Sequence, residues 1–120
     1  MPGAISFDRG QAPNILTMAG LEGSIDLFLE IGLKSIQAHN QKTTQFFLDH
    51  FNSKDFDLIT PKNAHANIVC LKSKNQDVQS IKDKLLDSNV DVSIREGNLR
   101  ISFHLFNNLS QVEILLKALN

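Results

Sequence analysis

The chain has 120 residues, of which 42% are hydrophobic, a composition that suits one globular domain with a single modest core. Its 12 basic and 13 acidic residues give a formal net charge of -1, which provides no concentrated basic surface for nucleic acid or an anionic membrane. Cys70 is the one cysteine, so an internal disulfide is excluded and a reducing compartment is favoured.

The N-terminal region predicts an irregular lead-in over residues 1–18, because Pro2, Gly3, Gly10 and Pro13 interrupt any regular period. This region lacks the basic and apolar segments of a signal peptide, and no apolar run in the chain approaches the roughly 20 residues that span a bilayer. We therefore expect a cytoplasmic protein without a membrane segment, with residues 19–120 forming a single domain.

Two helices are predicted after the lead-in. Leu21, Ile25, Phe28 and Leu29 recur at helical spacing over 19–31, and Gly32 is a suitable stop. A second helix is predicted over 33–51. Its apolar stripe consists of Leu33, Ile36, Phe47, Leu48 and Phe51. The polar stretch "QAHNQKTTQ" interrupts that stripe, so the middle of this helix is either exposed or faces a partner surface.

Strands and helices alternate over the rest of the chain. Strands are predicted over 56–60 and 66–73, rich in apolar and β-branched residues, and a helix follows over 77–88. The apolar stripe of that helix consists of Val78, Ile81, Leu85 and Leu86. The last helix is predicted over about 110–119, because Ser110 and Glu113 form the capping-box pattern S-x-x-E. Its core face consists of Val112, Leu115, Leu116 and Leu119.

A β-hairpin is predicted before the last helix, with strands over 90–95 and 99–106 and a two-residue turn at Gly97-Asn98. The element order α-α-β-β-α-β-β-α then predicts an α+β fold. We expect a two-layer domain in which a mainly antiparallel sheet is covered by helices on one face.

The predicted hairpin register places Arg95 directly opposite Arg100, and Asp91 opposite His104, while apolar residues occupy the other face. Two opposed guanidiniums would repel each other by about 3 kcal/mol at an effective dielectric near 20, and an anion between them would reverse this cost. Two interpretations stay open. Either the arginines point into solvent or pair with Glu96 or Asp91, or they form a carboxylate or phosphate site.

Other chemistry-bearing residues predict structural roles. The four histidines are far apart in sequence and no cysteine accompanies them at ligand spacing, so no metal site is expected. We expect Cys70 to be a small buried residue and the His104–Asp91 pair to be a structural contact.

Both ends of the chain resemble the class V aminotransferases, which are pyridoxal-phosphate enzymes of fold type I. The segment "VSIREGNLRISFHLFNNLSQVEILLKAL" is similar to the C-terminal end of that family, with R-x-G at 95–97, R-x-S at 100–102 and an aromatic-Asn pair at 106–107. The segment "FDRGQAPNILTMAGLEGSIDLFLEIGLKSIQAHN" resembles the family's F-E-x-G-T-x-N stretch and the helix that follows it.

The resemblance implies a C-terminal small domain of an enzyme whose large domain holds the cofactor. By the same resemblance, Arg100 binds the α-carboxylate of an amino-acid substrate, and Arg95 lies near that site. Gly10 matches the glycine that approaches the cofactor phosphate of the partner subunit in the family, and Gln11 replaces the threonine beside it. A large domain or a second subunit, in a homodimer, is the partner that the resemblance implies.

The cofactor of the family is held by a Schiff-base lysine, which in the family lies upstream of the segments matched here. We therefore expect no covalently bound pyridoxal phosphate and no activity from this chain alone. The absence of a cysteine after R-x-G indicates a parent enzyme of the aminotransferase, lyase or epimerase type rather than a desulfurase. The alternative is a non-catalytic α+β module that self-associates or binds a protein.

Overall fold

A computed structural model describes residues 15–61 and 67–119 of the chain. The chain divides into two compact units, the first ending at Leu33 and the second beginning at Lys34. The elements are α1 (Ile15–Ile31), α2 (Leu33–His50), β1 (Phe56–Leu58), β2 (Ile68–Ser73), α3 (Val78–Asp87), β3 (Ser93–Arg95), β4 (Asn98–Ser102) and α4 (Leu109–Leu119).

The first unit is represented by α1, which begins at Ile15 and not at residue 19 as predicted. The predicted end is confirmed, because Gly32 adopts a φ of 88° and donates its N–H to the Phe28 carbonyl at 3.0 Å. No residue of α1 is buried, and Leu21 and Leu29 of the predicted stripe are 60% and 63% exposed. The stripe therefore predicts the helix correctly, but among residues 15–61 and 67–119 it forms no core face.

The second unit is built on a four-stranded sheet in the order β1-β2-β4-β3, and every neighbouring pair is antiparallel. Alternate residues of the strands form an apolar inner face. The buried core joins that face to α2, α3 and α4 and consists of Phe47, Phe56, Val69, Leu71, Ile81, Leu85, Val92, Leu99, Ile101, Phe103, Val112, Leu115, Leu116, Ala118 and Leu119. The predicted α+β fold with a helix-covered sheet is confirmed.

The helix α2 contributes Phe47 to this core, with its ring 5.6 Å from the ring of Phe103. In the polar middle of α2, residues 37–45, five residues are exposed, two are half-buried and two are buried. Thr43 and Thr44 are buried, and His39 Nε2 lies 2.7 Å from the carbonyl oxygen of Asn107. This stretch is therefore exposed on one side, as one of the two alternatives expects, while its other side packs within the second unit.

Side chains cap both α3 and α4, and the cap of α4 differs from the prediction. Asp77 caps α3, because its carboxylate accepts the Ser80 N–H at 2.9 Å. The cap of α4 is Asn108 and not Ser110. The Asn108 side-chain oxygen accepts the Gln111 N–H at 3.0 Å, while the Gln111 side chain accepts the Asn108 N–H at 3.1 Å. This reciprocal pair is a capping box two residues upstream of the predicted one.

The predicted core face is correct for α4 and partly wrong for α3. All members of the predicted α4 face are buried. In α3, Ile81 and Leu85 are buried, but Leu86 is 55% exposed, so its inclusion in the stripe was wrong. Across residues 15–61 and 67–119, none of the helices is both long and apolar enough to cross a membrane.

Candidate functional site

The two arginines lie on the β3–β4 hairpin, whose turn is Glu96-Gly97 and not Gly97-Asn98. Glu96 and Gly97 have positive φ values of 49° and 74°. Positive φ at both central residues is the geometry of a two-residue turn that matches the twist of the flanking strands. The predicted strand limits were also too wide, since β3 begins at Ser93 and β4 ends at Ser102.

The changed turn moves the register by two residues. Arg95 faces Asn98 and Arg100 faces Ser93, so the predicted Arg95–Arg100 pair across the ladder is wrong. Because side chains alternate with a period of two, this slip leaves every residue on its predicted side of the sheet. The two arginines therefore share one face, in diagonal positions where Cβ atoms lie about 7–8 Å apart or slightly less.

That shared face is the outer face of the sheet, opposite the apolar core. It carries Asp57, Ile68, Cys70, Lys72, Ser93, Arg95, Asn98, Arg100 and Ser102. None of these residues is buried, whereas their strand neighbours Leu71, Leu99 and Ile101 are 0%, 0% and 3% exposed. The helices of the second unit thus leave the outer face open to a ligand or a partner.

Arg100 lies near the middle of this face, in a central strand. It is half-buried between Ser93 on β3 and Cys70 on β2, each directly opposite it. Cys70 is itself half-buried, and not fully buried as predicted. Arg95 is exposed next to the turn. The sequence gives no signal for the Cys70–Arg100 contact, because it depends on long-range pairing of β2 with β4.

Neither guanidinium has a hydrogen bond or ion pair with a described residue. The ion pair formed within residues 15–61 and 67–119 joins Lys74 Nζ to Asp57 Oδ1 at 3.2 Å. The possibility that Arg95 or Arg100 pairs with Glu96 or Asp91 is thus not realised. The positive charge of Arg100 is therefore not neutralised by any described residue, which leaves it available to an anion from outside the chain.

The predicted Asp91–His104 pair is wrong as a ladder contact, because both residues lie beyond the ends of their strands. The His104 N–H donates instead to the Asn107 side-chain oxygen at 2.8 Å, and its ring stacks on Phe106 at 4.8 Å. Asn107, which the family motif includes, makes contacts that the sequence did not predict: it connects the end of β4 to α2 through His39 and to α4 through Gln111.

Gly10 and Gln11, the residues predicted near a cofactor phosphate, lie outside the described residues. The described parts of the chain contain no group of three His, Cys, Asp or Glu residues arranged to hold a metal ion. The arginine-bearing outer face therefore remains the best candidate site in the described chain.

Solved structures with the same fold belong to longer chains. A NifS-like protein superimposes with a TM-score of 0.78 at 18% identity, covering 92% of this chain and 34% of its own. The apo cysteine desulfurase of Thermococcus onnurineus NA1 gives a TM-score of 0.81 at 24% identity, covering 89% and 30%. The 8-amino-7-oxononanoate synthase of Francisella tularensis gives 0.57 at 26% identity, covering 68% and 25%.

The chain thus spans about a third of the length of the NifS-like protein and of the cysteine desulfurase. A search of curated proteins finds no significant match. The sequence model of the class-V aminotransferases matches residues 6–115, which is nearly the whole chain. This chain belongs to the class V aminotransferase family.

Proposed function

We propose that this chain is the C-terminal small domain of a class V enzyme that uses pyridoxal phosphate, and that Arg100 binds the α-carboxylate of an amino-acid substrate. The observation that carries the proposal is that Arg100 is a half-buried residue with no counter-ion among the described residues. A guanidinium can donate two parallel hydrogen bonds to one carboxylate, a geometry that a lysine ammonium does not match.

The position of Arg100 supports this role. It lies in a central strand, so its backbone is held by β2 on one side and β3 on the other. A binding group on a rigid strand loses little freedom when the ligand binds. Arg95 lies on the same face, next to the hairpin turn, and adds positive charge near the site. The R-x-S motif of the family falls on this same arginine.

The described residues do not fit the cofactor itself. A Schiff-base lysine needs a desolvated site, but no lysine within residues 15–61 and 67–119 is buried. Pyridoxal phosphate supplies the electron sink for amino-acid chemistry when it is bound. The role of this chain is therefore substrate binding, and the lysine belongs to the large domain that the partial-length match suggests.

The exposed helix α1 supports a large-domain partner. Ile15, Leu16, Met18, Ile25 and Leu27 are between 47% and 86% exposed, although all are large apolar side chains. Such a helix is normally covered, because burying apolar area is favourable by about 25 cal/mol per Å². We propose that the large domain covers α1 in the complete enzyme.

Self-association is the second candidate function, since the same apolar residues of α1 would also serve a non-catalytic dimer. Light scattering after size-exclusion chromatography of the chain, with and without Leu16→Glu, tests this. A dimer would favour the non-catalytic module if Leu16→Glu dissociates it and if it persists when a large domain is supplied. A dimer that the large domain replaces would favour the enzyme fragment.

The carboxylate role is tested in an enzyme completed with a large domain. Arg100→Gln is expected to lower kcat/KM for the amino acid by about 10- to 100-fold, the range for losing a charged hydrogen-bonding partner. Lys84→Gln removes one positive charge from the exposed face of α3 and is the matched control, with unchanged kcat/KM expected. Equal activity of Arg100→Gln and the wild type would overturn the assigned role.

A further inference from the structure

Two further cationic residues, Lys72 and Arg95, lie near Arg100 on the outer face of the sheet. Arg95 lies directly opposite Asn98, and Arg100 lies two residues from Asn98 on the same strand. Lys72 follows Leu71, which is opposite Leu99, so the ladder brings Lys72 alongside Asn98 from the other side. Lys72, Arg95 and Arg100 thus surround Asn98 on one face.

This concentration of charge contrasts with the chain as a whole, whose formal net charge is -1. The acidic residue on the strands of this face is Asp57, opposite Lys72, and its carboxylate pairs with Lys74 Nζ at 3.2 Å. No described residue forms an ion pair with Lys72, Arg95 or Arg100. Like charges on neighbouring strand positions are destabilising, so the arrangement favours binding of more than one negative charge.

The spacing of these cations forms two binding positions, one at Arg100 and the other at Arg95 and Lys72. A single carboxylate is satisfied by one guanidinium, and Arg100 supplies it at the half-buried centre of the face. Arg95 stands diagonally from Arg100, at roughly 7–8 Å between Cβ atoms, and is exposed together with Lys72. Two acidic groups on one small molecule match this arrangement better than one acidic group held by all three cations.

We propose that the substrate is an amino acid with a second carboxylate, in which Arg95 and Lys72 bind the distal carboxylate while Arg100 binds the α-carboxylate. This inference rests on the proposed function and names its substrate class. The amide side chain of Asn98, half-buried between the cations, donates to the carbonyl oxygen of Glu96 at 3.1 Å. That contact links Asn98 to the backbone of the turn that follows Arg95.

The test is a titration of the ¹⁵N-labelled chain with L-glutamate and, separately, with L-glutamine, which has a neutral amide in place of the distal carboxylate. Amide shifts of residues around Arg100 give a dissociation constant for each. We expect L-glutamate to bind at least threefold more tightly. Arg95→Gln and Lys72→Gln should each weaken L-glutamate binding more than L-glutamine binding and so reduce this preference, whereas Lys84→Gln should leave the preference intact.

The possible results separate the inference from the function on which it rests. If both amino acids shift the Arg100 region with equal affinity, and Arg100→Gln abolishes both, the second position is overturned and the carboxylate role of Arg100 stands. A preference for L-glutamate that survives both Arg95→Gln and Lys72→Gln also overturns the second position. If neither amino acid shifts the Arg100 region, both proposals are overturned.

Discussion

Arg100 lies directly opposite Cys70 across the β2–β4 ladder, on the face of the sheet that the helices leave open. Its opposite neighbour on the other side is Ser93, so a central arginine has a thiol and a hydroxyl beside it and no carboxylate. Directly opposed residues have Cβ atoms about 4.5–5.5 Å apart, close enough for an acidic side chain at position 70 to pair with Arg100. The ladder therefore leaves the guanidinium available to a ligand.

Cys70→Asp should place a carboxylate beside Arg100 and so compete with an incoming one. We expect the affinity of the chain for a simple amino acid such as L-alanine to fall several-fold in this variant, as measured by NMR titration. Cys70→Asn has nearly the same shape without the charge and is the control, with affinity near the wild type. If both variants bind L-alanine as the wild type does, Arg100 is not the carboxylate-binding group.

The capping box of α4 gives a prediction about stability. Asn108→Ala removes the side chain that accepts the Gln111 N–H, and should lower the free energy of unfolding by about 1 kcal/mol. Ser110→Ala is the matched control at the residue that the sequence pattern favours. The Ser110 hydroxyl donates to the exposed Asn108 side chain, so a smaller change is expected. Urea unfolding measures the free energy of unfolding of both variants. A larger loss of stability in Ser110→Ala than in Asn108→Ala would contradict Asn108 as the cap.

Neighbouring leucines of α3 test the assignment of its core face. Leu85 is 0% exposed and Leu86 is 55% exposed. Leu85→Ala should therefore lower the free energy of unfolding by about 2–5 kcal/mol, since it leaves a cavity, and Leu86→Ala by well under 1 kcal/mol. Denaturant titration of both variants provides the measurement. Similar losses at the two positions would indicate that Leu86 is covered by a surface outside this chain or that the helix is rotated.

The hairpin turn can be tested at its two left-handed residues. Gly97→Ala adds a side chain at a φ of 74° and should destabilise the second unit by about 1 kcal/mol. Glu96→Asn places a residue that tolerates positive φ at 49°, and should stabilise it by a few tenths of a kcal/mol. Thermal unfolding monitored by circular dichroism compares the two. The observed turn predicts that Gly97→Ala lowers the thermal stability and that Glu96→Asn raises it. With a turn at Gly97-Asn98, Glu96 would not have a positive φ, and Glu96→Asn would not stabilise the protein.

The sequence pattern succeeds where the information is local and periodic. Alternation of polar and apolar residues assigns Leu99 and Ile101 to the core and Arg95 and Arg100 to the other face, and a register slip of two residues does not disturb this. The slip itself was not predictable from Gly97 alone, since turns at 96–97 and 97–98 both place this glycine at a central position. The choice depends on pairing along the whole ladder.

Long-range pairing and missing partners explain the remaining differences. The neighbours Cys70 and Lys72 reach Arg100 and Asn98 only because β2 pairs with β4, and no local signal encodes that pairing. The helix α1 has a clear apolar period, yet none of its residues is buried. A periodic pattern shows that a helix needs a covering surface, but it does not show whether the same chain supplies that surface.

The most direct test of the central claim is the response of the Arg100 guanidinium to an α-carboxylate. The side-chain Nε–Hε resonance of Arg100 is followed in the ¹⁵N-labelled chain during titration with L-alanine and, in parallel, with L-alaninamide, which lacks the carboxylate. The account predicts a saturable shift with L-alanine and none with L-alaninamide. An unchanged resonance with L-alanine, or equal shifts with both compounds, would contradict it.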